Sequence, residues 1–512
     1  MSDAARIHAI ADGTLAIPGR WLTGVATIAC VAAAAITYTS ITYGPAPVET
    51  ELSPGRAAAV IVAAAALVLL ARVPRLVLIL LAAFVYLNLS EVLVRYHGWP
   101  SLLQLVVVPI GIVALAASSS VHRAKVLTHP LTIALAVYVL VVFAATTVAR
   151  DSAIASERSN DLVKTFILAL LVALLARRLP DIRIASWTMV ACGTLLALLG
   201  IVQVATNSYA SEYGGFARIK YAHIFGTTFE PRISGPLGDP NFFSQSLLIL
   251  VPIAVILAIH ERRVVLRCAA ALAGCIITAG TILTYSRGGA LALCCAIALL
   301  VAGSIRHLRR THAFAIAGVV AAVVLFAPRE FMQRLTTLQQ LLPGGEGQQL
   351  ADTSFEERRL LTTAAWLTFV DHPFAGVGPG NYTHYFDDYA GLIGSTVIEY
   401  EVQDATHYPH NLYLEIAAET GLFGLAAFGA VLVVAFAALK RAKAAFRNGG
   451  SSLGPAMVAA LQASIAGYLV SSLFLHGSHQ RYLWLLFGLT IALSTAAARS
   501  TNRTAARFEA AS

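Results

Sequence analysis

Charge is what this sequence has least of. Only 12% of its 512 residues are Asp, Glu, Lys or Arg, about half the share found in a soluble domain. That shortage excludes a soluble globular enzyme. Cysteine is sparse as well. The six cysteines, Cys30, Cys192, Cys268, Cys275, Cys294 and Cys295, all fall inside apolar runs, and their spacing builds neither a disulfide framework nor a zinc site. No small-x-small cleavage site follows the first apolar stretch, so that stretch is expected to stay in place as an anchor. No internal repeat is visible, which counts against the two related halves of many transporters. The net charge of +9 implies no nucleic-acid partner, because the excess lies in short loops between apolar runs.

What is abundant is apolar sequence. Hydrophobic residues make up 58% of the chain and the mean hydropathy is +0.73. Runs long enough to cross a bilayer as helices recur from end to end, and they predict about fourteen spans. These lie near 22–42, 57–71, 76–90, 102–118, 131–148, 165–177, 186–204, 244–259, 268–284, 288–304, 312–328, 412–439, 456–475 and 482–498. The 57–90 and 268–304 pairs are short enough to include re-entrant segments. The expected fold class is therefore an all-α polytopic membrane protein with about 12–14 transmembrane helices.

The connections alternate in character. One set is short and basic: "ARVPR", "VHRAKV", "ARRLPDIR", "HERRVVLR", "SIRHLRR", "KRAKAAFR" and both termini. The other set is longer and mixed or acidic. The first set carries 22 Lys/Arg and 5 Asp/Glu, the second 14 and 22, a net of +17 against −8 that accounts for the overall +9. The positive-inside rule then places the basic set and both termini in the cytoplasm. Four regions follow: N-terminal helices (1–204), central helices with a first outer segment at 205–243 (205–328), a large outer loop (329–411), and C-terminal helices with a cytoplasmic tail (412–512). The large loop contains "TSFEERRLLTTAAWLTFV". An N-cap at Ser354, acids in the first turn and apolar positions at helical spacing predict an ordered amphipathic helix at the membrane face.

The unusual polar residues gather on the outer side of this topology. Arg287 sits in "TYSRGGALAL" at the junction of two apolar runs, where a charge is costly. It either snorkels to headgroups or works in a site. "FEPRISGPLGDPN" places Arg232 before a Pro/Gly turn, with Asp239 or Asn241 as caps for the next helix. Arg358 and Arg359 lie on the loop helix, where Glu356 and Glu357 could simply balance them. "DHPFAGVGPGNY" has the glycines of a phosphate loop but no preceding strand and no Lys-Ser/Thr, so a turn after a helix is expected. His407 and His410 stand three apart without a third ligand, so no metal site is expected. Pro409 discourages a helix through His407. His410-Asn411 then opens the next span at its positive N-terminal end, which suits a phosphate-bearing lipid headgroup. Glu415 and Glu419 follow on that span.

These pieces resemble the O-antigen ligase and polymerase superfamily. His410-Asn411, nine residues, then Gly421-Leu-Phe-Gly424 is similar to its His-(Asn/Ser/Gln)-x9-Gly-x-x-(Gly/Thr) pattern. "SRGG" at 286–289, "RISGPLGDPN" at 232–241 and "RRLL…W…DHPFAGVGPGNY" at 358–382 look like its other blocks, in the expected order. The resemblance covers about residues 215–430; the N-terminal half matches only as generic spans.

The resemblance implies a glycosyltransferase on the outer side of the bacterial inner membrane. The donor would be a glycan on undecaprenyl diphosphate. The acceptor would be lipid A–core oligosaccharide for a ligase, or a second lipid-linked repeat for a polymerase. Neither a cofactor nor a metal is implied, and membrane lipid is the surrounding partner. By the same resemblance Arg287, Arg358 and His410 are the catalytic candidates, with Arg359 as the neighbouring choice for Arg358. Arg232, Asn241, Asn411 and Glu415 are the candidates for holding diphosphate or acceptor. His410 could accept the acceptor's proton, bind phosphate as a cation, or orient the acceptor. Glu415 and Glu419 are second candidates for the base. Rival readings are a protein O-glycosylating transferase, a lipid-linked glycan flippase and a purely structural membrane protein.

Overall fold

The computed structural model describes residues 73–98, 102–225, 228–304, 353–393, 407–477 and 480–509. The expected spans 22–42, 57–71 and 312–328 lie outside the described residues. Residues 329–352 and 394–406 of the long loop also lie outside them, and position 354, expected as a cap, falls inside the helix that runs Thr353–Asp371.

The other eleven expected spans all fall on helices. Helices α1 (Pro74–Tyr86) and α2 (Leu89–His97) form a pair bent by 58°. Helices α3 (Leu102–Ala117) and α4 (Ser120–Leu127) form another, bent by 115°. Then come α5 (Pro130–Ala145), α6 (Ser152–Leu175), α7 (Leu179–Ala205), α8 (Pro240–Leu248), α9 (Val251–His260), α10 (Val264–Leu283) and α11 (Arg287–Ser304). The long loop contributes α12 (Thr353–Asp371) and α13 (Tyr382–Ile393). Last are α14 (Leu412–Asn448), α15 (Leu453–Ser471) and α16 (Arg481–Glu509). Among the described residues, seven helical stretches are long and apolar enough to cross a membrane, or up to nine if each bent pair counts as one. The protein is an all-α polytopic membrane protein.

One departure from the all-helical reading appears among the described residues. Ile219–Phe225 (β1) and Thr228–Ile233 (β2) form an antiparallel hairpin with Lys220 opposite Arg232. It is short and lies between two spans, where hydropathy carries no strand signal.

Burial identifies the centre of the bundle. The apolar windows of α16 and of the α8–α9 pair are 83% and 78% buried, against 33–39% for α5, α10 and α14. The outer helices leave Leu140, Val433 and Leu272 exposed, as a lipid-facing surface requires. Trp484 of α16 anchors the core against Tyr138, Phe166 and Phe487. Pro252 breaks the run between α8 and α9, and Ser464 Oγ of α15 donates to the Ile249 carbonyl at that break (2.6 Å).

The short basic connections meet at one end of the bundle. Arg75 pairs with Asp181 (2.7 Å), Arg183 pairs with buried Glu261, and Arg499 donates to the Arg177 carbonyl (3.2 Å). The remaining polar clusters collect at the opposite end.

Helix α14 holds the decisive local feature. Gly421 interrupts it with φ 63° and ψ −160°, a conformation that L side chains rarely adopt. The glycine-rich segment that follows α12 lies across this break. Val377 and Gly378 N–H donate to the Ala418 and Glu419 carbonyls (2.9 Å each), and Leu422 N–H donates to the Pro373 carbonyl (2.7 Å). A methyl group on Gly421 would collide with the Phe374 carbonyl, and one on Gly376 with the backbone of Glu419 and Thr420. The segment is thus a turn after a helix, and its glycines permit backbone to meet backbone. The Gly421→Ala variant should lower thermal stability in detergent by about 1–3 kcal/mol. Gly429→Ala in the same helix, where a methyl meets nothing within 4 Å, should be neutral or stabilising. Equal melting temperatures for the two variants would refute this account of the break.

Candidate functional site

The site is assembled around the turn between α15 and α16, residues 472–477. Leu412 N–H donates to the Ser472 carbonyl (2.9 Å) and Asn411 Nδ2 to the Leu473 carbonyl (3.2 Å). Gln245 of α8 donates to Ser472 Oγ (3.0 Å). Gly288, next to Arg287, faces Phe474, whose ring would lie 2.7 Å from an added methyl. His476 faces the His410 ring, and Gly477 N–H donates to Glu415 Oε2 (2.6 Å). One turn therefore fixes the starts of α11 and α14 together.

Asn411 is the N-cap of α14. Its Oδ1 accepts from Tyr413 and Leu414 N–H at 3.0 and 3.1 Å, satisfying two of the helix's open donors. With Nδ2 also engaged, its side chain is committed to holding the backbone. His410, one residue earlier, has left-handed backbone geometry (φ 47°). The residue is partly buried, and its Nδ1, shielded from solvent, has no hydrogen-bond partner among the described residues. It packs edge-on to His476, with ring centroids 5.2 Å apart. Burial lowers its pKa to about 4, and the positive charge of Arg358 adds to the effect. The imidazole is therefore neutral at neutral pH. His407 is not its companion: that ring stacks on Phe386 at 4.3 Å. No group of three or more His, Cys, Asp or Glu with metal-holding geometry occurs among the described residues.

Arg232 and Asn241 lock the hairpin to the turn that precedes Arg287. Arg232 is buried, donating from Nε to the Thr284 carbonyl (2.7 Å) and from Nη2 to Asn241 Oδ1 (3.1 Å). Asp239 caps α8 through Asn241 and Phe242 N–H, with Lys220 at 3.6 Å. Tyr285 has φ 53°, and Ser286 Oγ accepts from Gly289 N–H (3.2 Å), so Arg287 opens α11 from a tight turn. On α12, Arg358 is half-buried and its charge reaches His410, whereas Arg359 is exposed.

Glu415 and Glu419 are both buried, one turn apart on the first segment of α14. Glu419 accepts from the backbone N–H groups of Gly380 and Tyr382. With Arg158, Tyr408 and Thr420, and the apolar Val142, Leu162 and Ile416, they line a small cavity. Both carboxylates thus tie neighbouring backbone to α14.

Sequence reasoning missed four residues here: Arg158, Tyr408, His476 and Phe242. Arg158 of α6 donates to Tyr408 OH (2.7 Å) and lies over its ring. Tyr408 stacks on His476 at 4.3 Å with an 11° interplanar angle. Phe242 meets His476 edge-on at 5.1 Å. A signal existed: "FLHGSHQR" is a polar, histidine-bearing break between two apolar runs. It falls on the same side of the topology as His410.

No curated protein matches the chain. Residues 269–429 match the model of a family described as O-antigen ligase. The match runs from within α10 through Arg287, α12 and His410 to beyond Gly421 and Gly424. The described geometry ties it to Arg232 and Arg158 before it and to His476 after it. The match takes in Arg287, Arg358 and His410 on a multi-pass helical bundle, and it supports a relation of this region to the O-antigen ligase/polymerase superfamily.

Proposed function

We propose that this enzyme is an O-antigen ligase, moving a glycan from undecaprenyl diphosphate to lipid A–core oligosaccharide on the periplasmic face of the bacterial inner membrane. In this reading the basic end of the bundle and both termini are cytoplasmic. The observation that carries it is His410 at the start of α14, within reach of the charge of Arg358 on the loop helix, with the 472–477 turn packing against both the start of α14 and Gly288 beside Arg287. A base must be unprotonated to act, and a diphosphate leaving group needs positive charge. The two requirements meet at this end of the molecule.

The step runs as follows. The acceptor hydroxyl oxygen attacks the anomeric carbon from the face opposite the diphosphate. The new C–O bond forms as the bond to the diphosphate oxygen breaks, with inversion. That bond's electron pair leaves with undecaprenyl diphosphate. The hydroxyl proton passes to His410. Arg287 and Arg358 bind the diphosphate oxygens and neutralise charge as it develops, and Arg232 fixes the turn that aims Arg287. Arg358 is preferred to Arg359 because its charge acts on His410 while Arg359 is exposed. His410 is preferred to Glu415 and Glu419 as base because their carboxyl groups accept backbone N–H groups. Lipid A–core is read as the acceptor from the description of the matching family.

The test is transfer in proteoliposomes. Purified protein is given undecaprenyl-diphosphate-linked glycan and lipid A–core, with EDTA present. Wild type should form the lipid A–core product, and His410→Ala and Arg287→Ala should each lose at least about a hundredfold in rate. Longer lipid-linked chains would instead make the enzyme a polymerase. Intact donor crossing the bilayer without transfer would make it a flippase.

The pH profile is a second test. Protonated His410 cannot accept a proton, so kcat/KM should fall as pH drops toward about 4. No inflection should appear near 6.5, the ordinary value for histidine. An acid limb centred near 6.5 would mean that the base is another group, and activity lost as pH rises through the titration of His410 would mean that it acts as a cation.

A further inference from the structure

A histidine base is commonly oriented by a hydrogen bond to its second ring nitrogen. His410 has no such partner on Nδ1 among the described residues. Its ring contact is instead aromatic, with His476. His476 is itself fixed on two further sides. Tyr408 stacks flat on it at 4.3 Å, and Phe242 meets it edge-on at 5.1 Å. Tyr408 is held in turn by Arg158 at 2.7 Å. The same short turn carries the two backbone-directed bonds that hold the chain after His410, through Leu412 and Asn411. His410 needs this support, since a non-glycine residue in left-handed geometry is retained only when its surroundings over-determine it.

We infer that His476 is a positioning residue, whose flat ring, clamped between Tyr408 and Phe242, fixes the orientation of the His410 imidazole. The inference rests on the reading of His410 as the base, but the packing it describes can be tested without that reading. It makes a shape demand at position 476: a flat ring is required between Tyr408, Phe242 and His410.

The experiment compares His476→Ala and His476→Phe with wild type. In the proteoliposome transfer assay, His476→Ala should lose at least about thirtyfold in kcat with little change in KM for donor or acceptor. His476→Phe should restore most of that loss. The acid limb of the pH profile should move upward in His476→Ala, as water reaches His410, and return in His476→Phe. Independently of transfer, diethyl pyrocarbonate should modify His410 at least about fivefold faster in His476→Ala than in wild type or His476→Phe, read by mass spectrometry. Full activity of His476→Ala overturns the inference, and so does a His476→Phe variant as damaged as the alanine. Unchanged carbethoxylation of His410 overturns it even where wild type shows no transfer. That last result separates failure of the positioning role from failure of the ligase reading.

Discussion

The site depends first on a helix that cannot run straight. At Gly421 the backbone of α14 leaves helical geometry, and a break in an apolar helix exposes N–H and C=O groups that hydrocarbon cannot satisfy. The segment from Pro373 to Gly378 supplies the missing partners through backbone bonds on both sides of the break. The consequence is geometric. Residues 412–420 become a short helix separate in direction from the long apolar run that follows. The loop helix α12, which directly precedes the clamp, is locked to it. The position of Arg358 relative to His410 is therefore set by main-chain bonds, which are less easily disturbed than contacts between long side chains. The buried carboxyl groups of Glu415 and Glu419 extend the same lock to Gly477, Gly380 and Tyr382.

Electrostatics then divides the labour. Burying an imidazole beside a guanidinium favours its neutral form, since both desolvation and like charge oppose a second cation. Such a base is weak while the site is empty. On the proposed reading, a bound diphosphate brings negative charge next to the same arginines and restores proton affinity to His410. The base would gain strength only when the donor is in place, which limits wasteful proton uptake. Arg232 serves differently. It is buried and donates to Thr284 and Asn241, which ties it to the turn before Arg287.

Much of this was legible in the sequence, for reasons that can be named. Hydropathy locates spans because a bilayer demands long apolar helices, and every expected span among the described residues falls on a helix. Charge asymmetry grouped the basic loops, and Arg75–Asp181 and Arg183–Glu261 show those loops meeting. Pro409 and Asn411 marked the start of α14, because a proline restricts the residue before it and an asparagine caps. The β-hairpin was not legible, since strands of seven and six residues between spans leave no hydropathy trace. Nor was the role of Asn411 as a cap separable from one as a ligand, because both use the same amide. The glycines of 376–380 looked like an anion loop for a sound reason: close backbone approach requires glycine whether the partner is phosphate or another backbone. Only the fold says that the partner is α14.

The family match and the geometry divide the site in a way that follows from chemistry. The matched region holds the groups proposed to touch substrate: Arg287, Arg358 and His410. The groups that hold them in place, Arg232, Arg158 and His476, lie outside it on both sides. Groups meeting a shared leaving group are bound by its shape and charge, so their residue types are tightly prescribed. Groups that only hold another side chain face a looser demand. A carboxylate can hold an imidazole, but so can a clamped aromatic ring, provided that the ring cannot move. Here Tyr408, anchored to Arg158 on α6, and Phe242, at the start of α8, supply that immobility from two separate helices. The precision of His410 is thus a property of how α6, α8, α14 and the 472–477 turn pack together. A packing-based support leaves no fixed spacing along the chain for a pattern to capture.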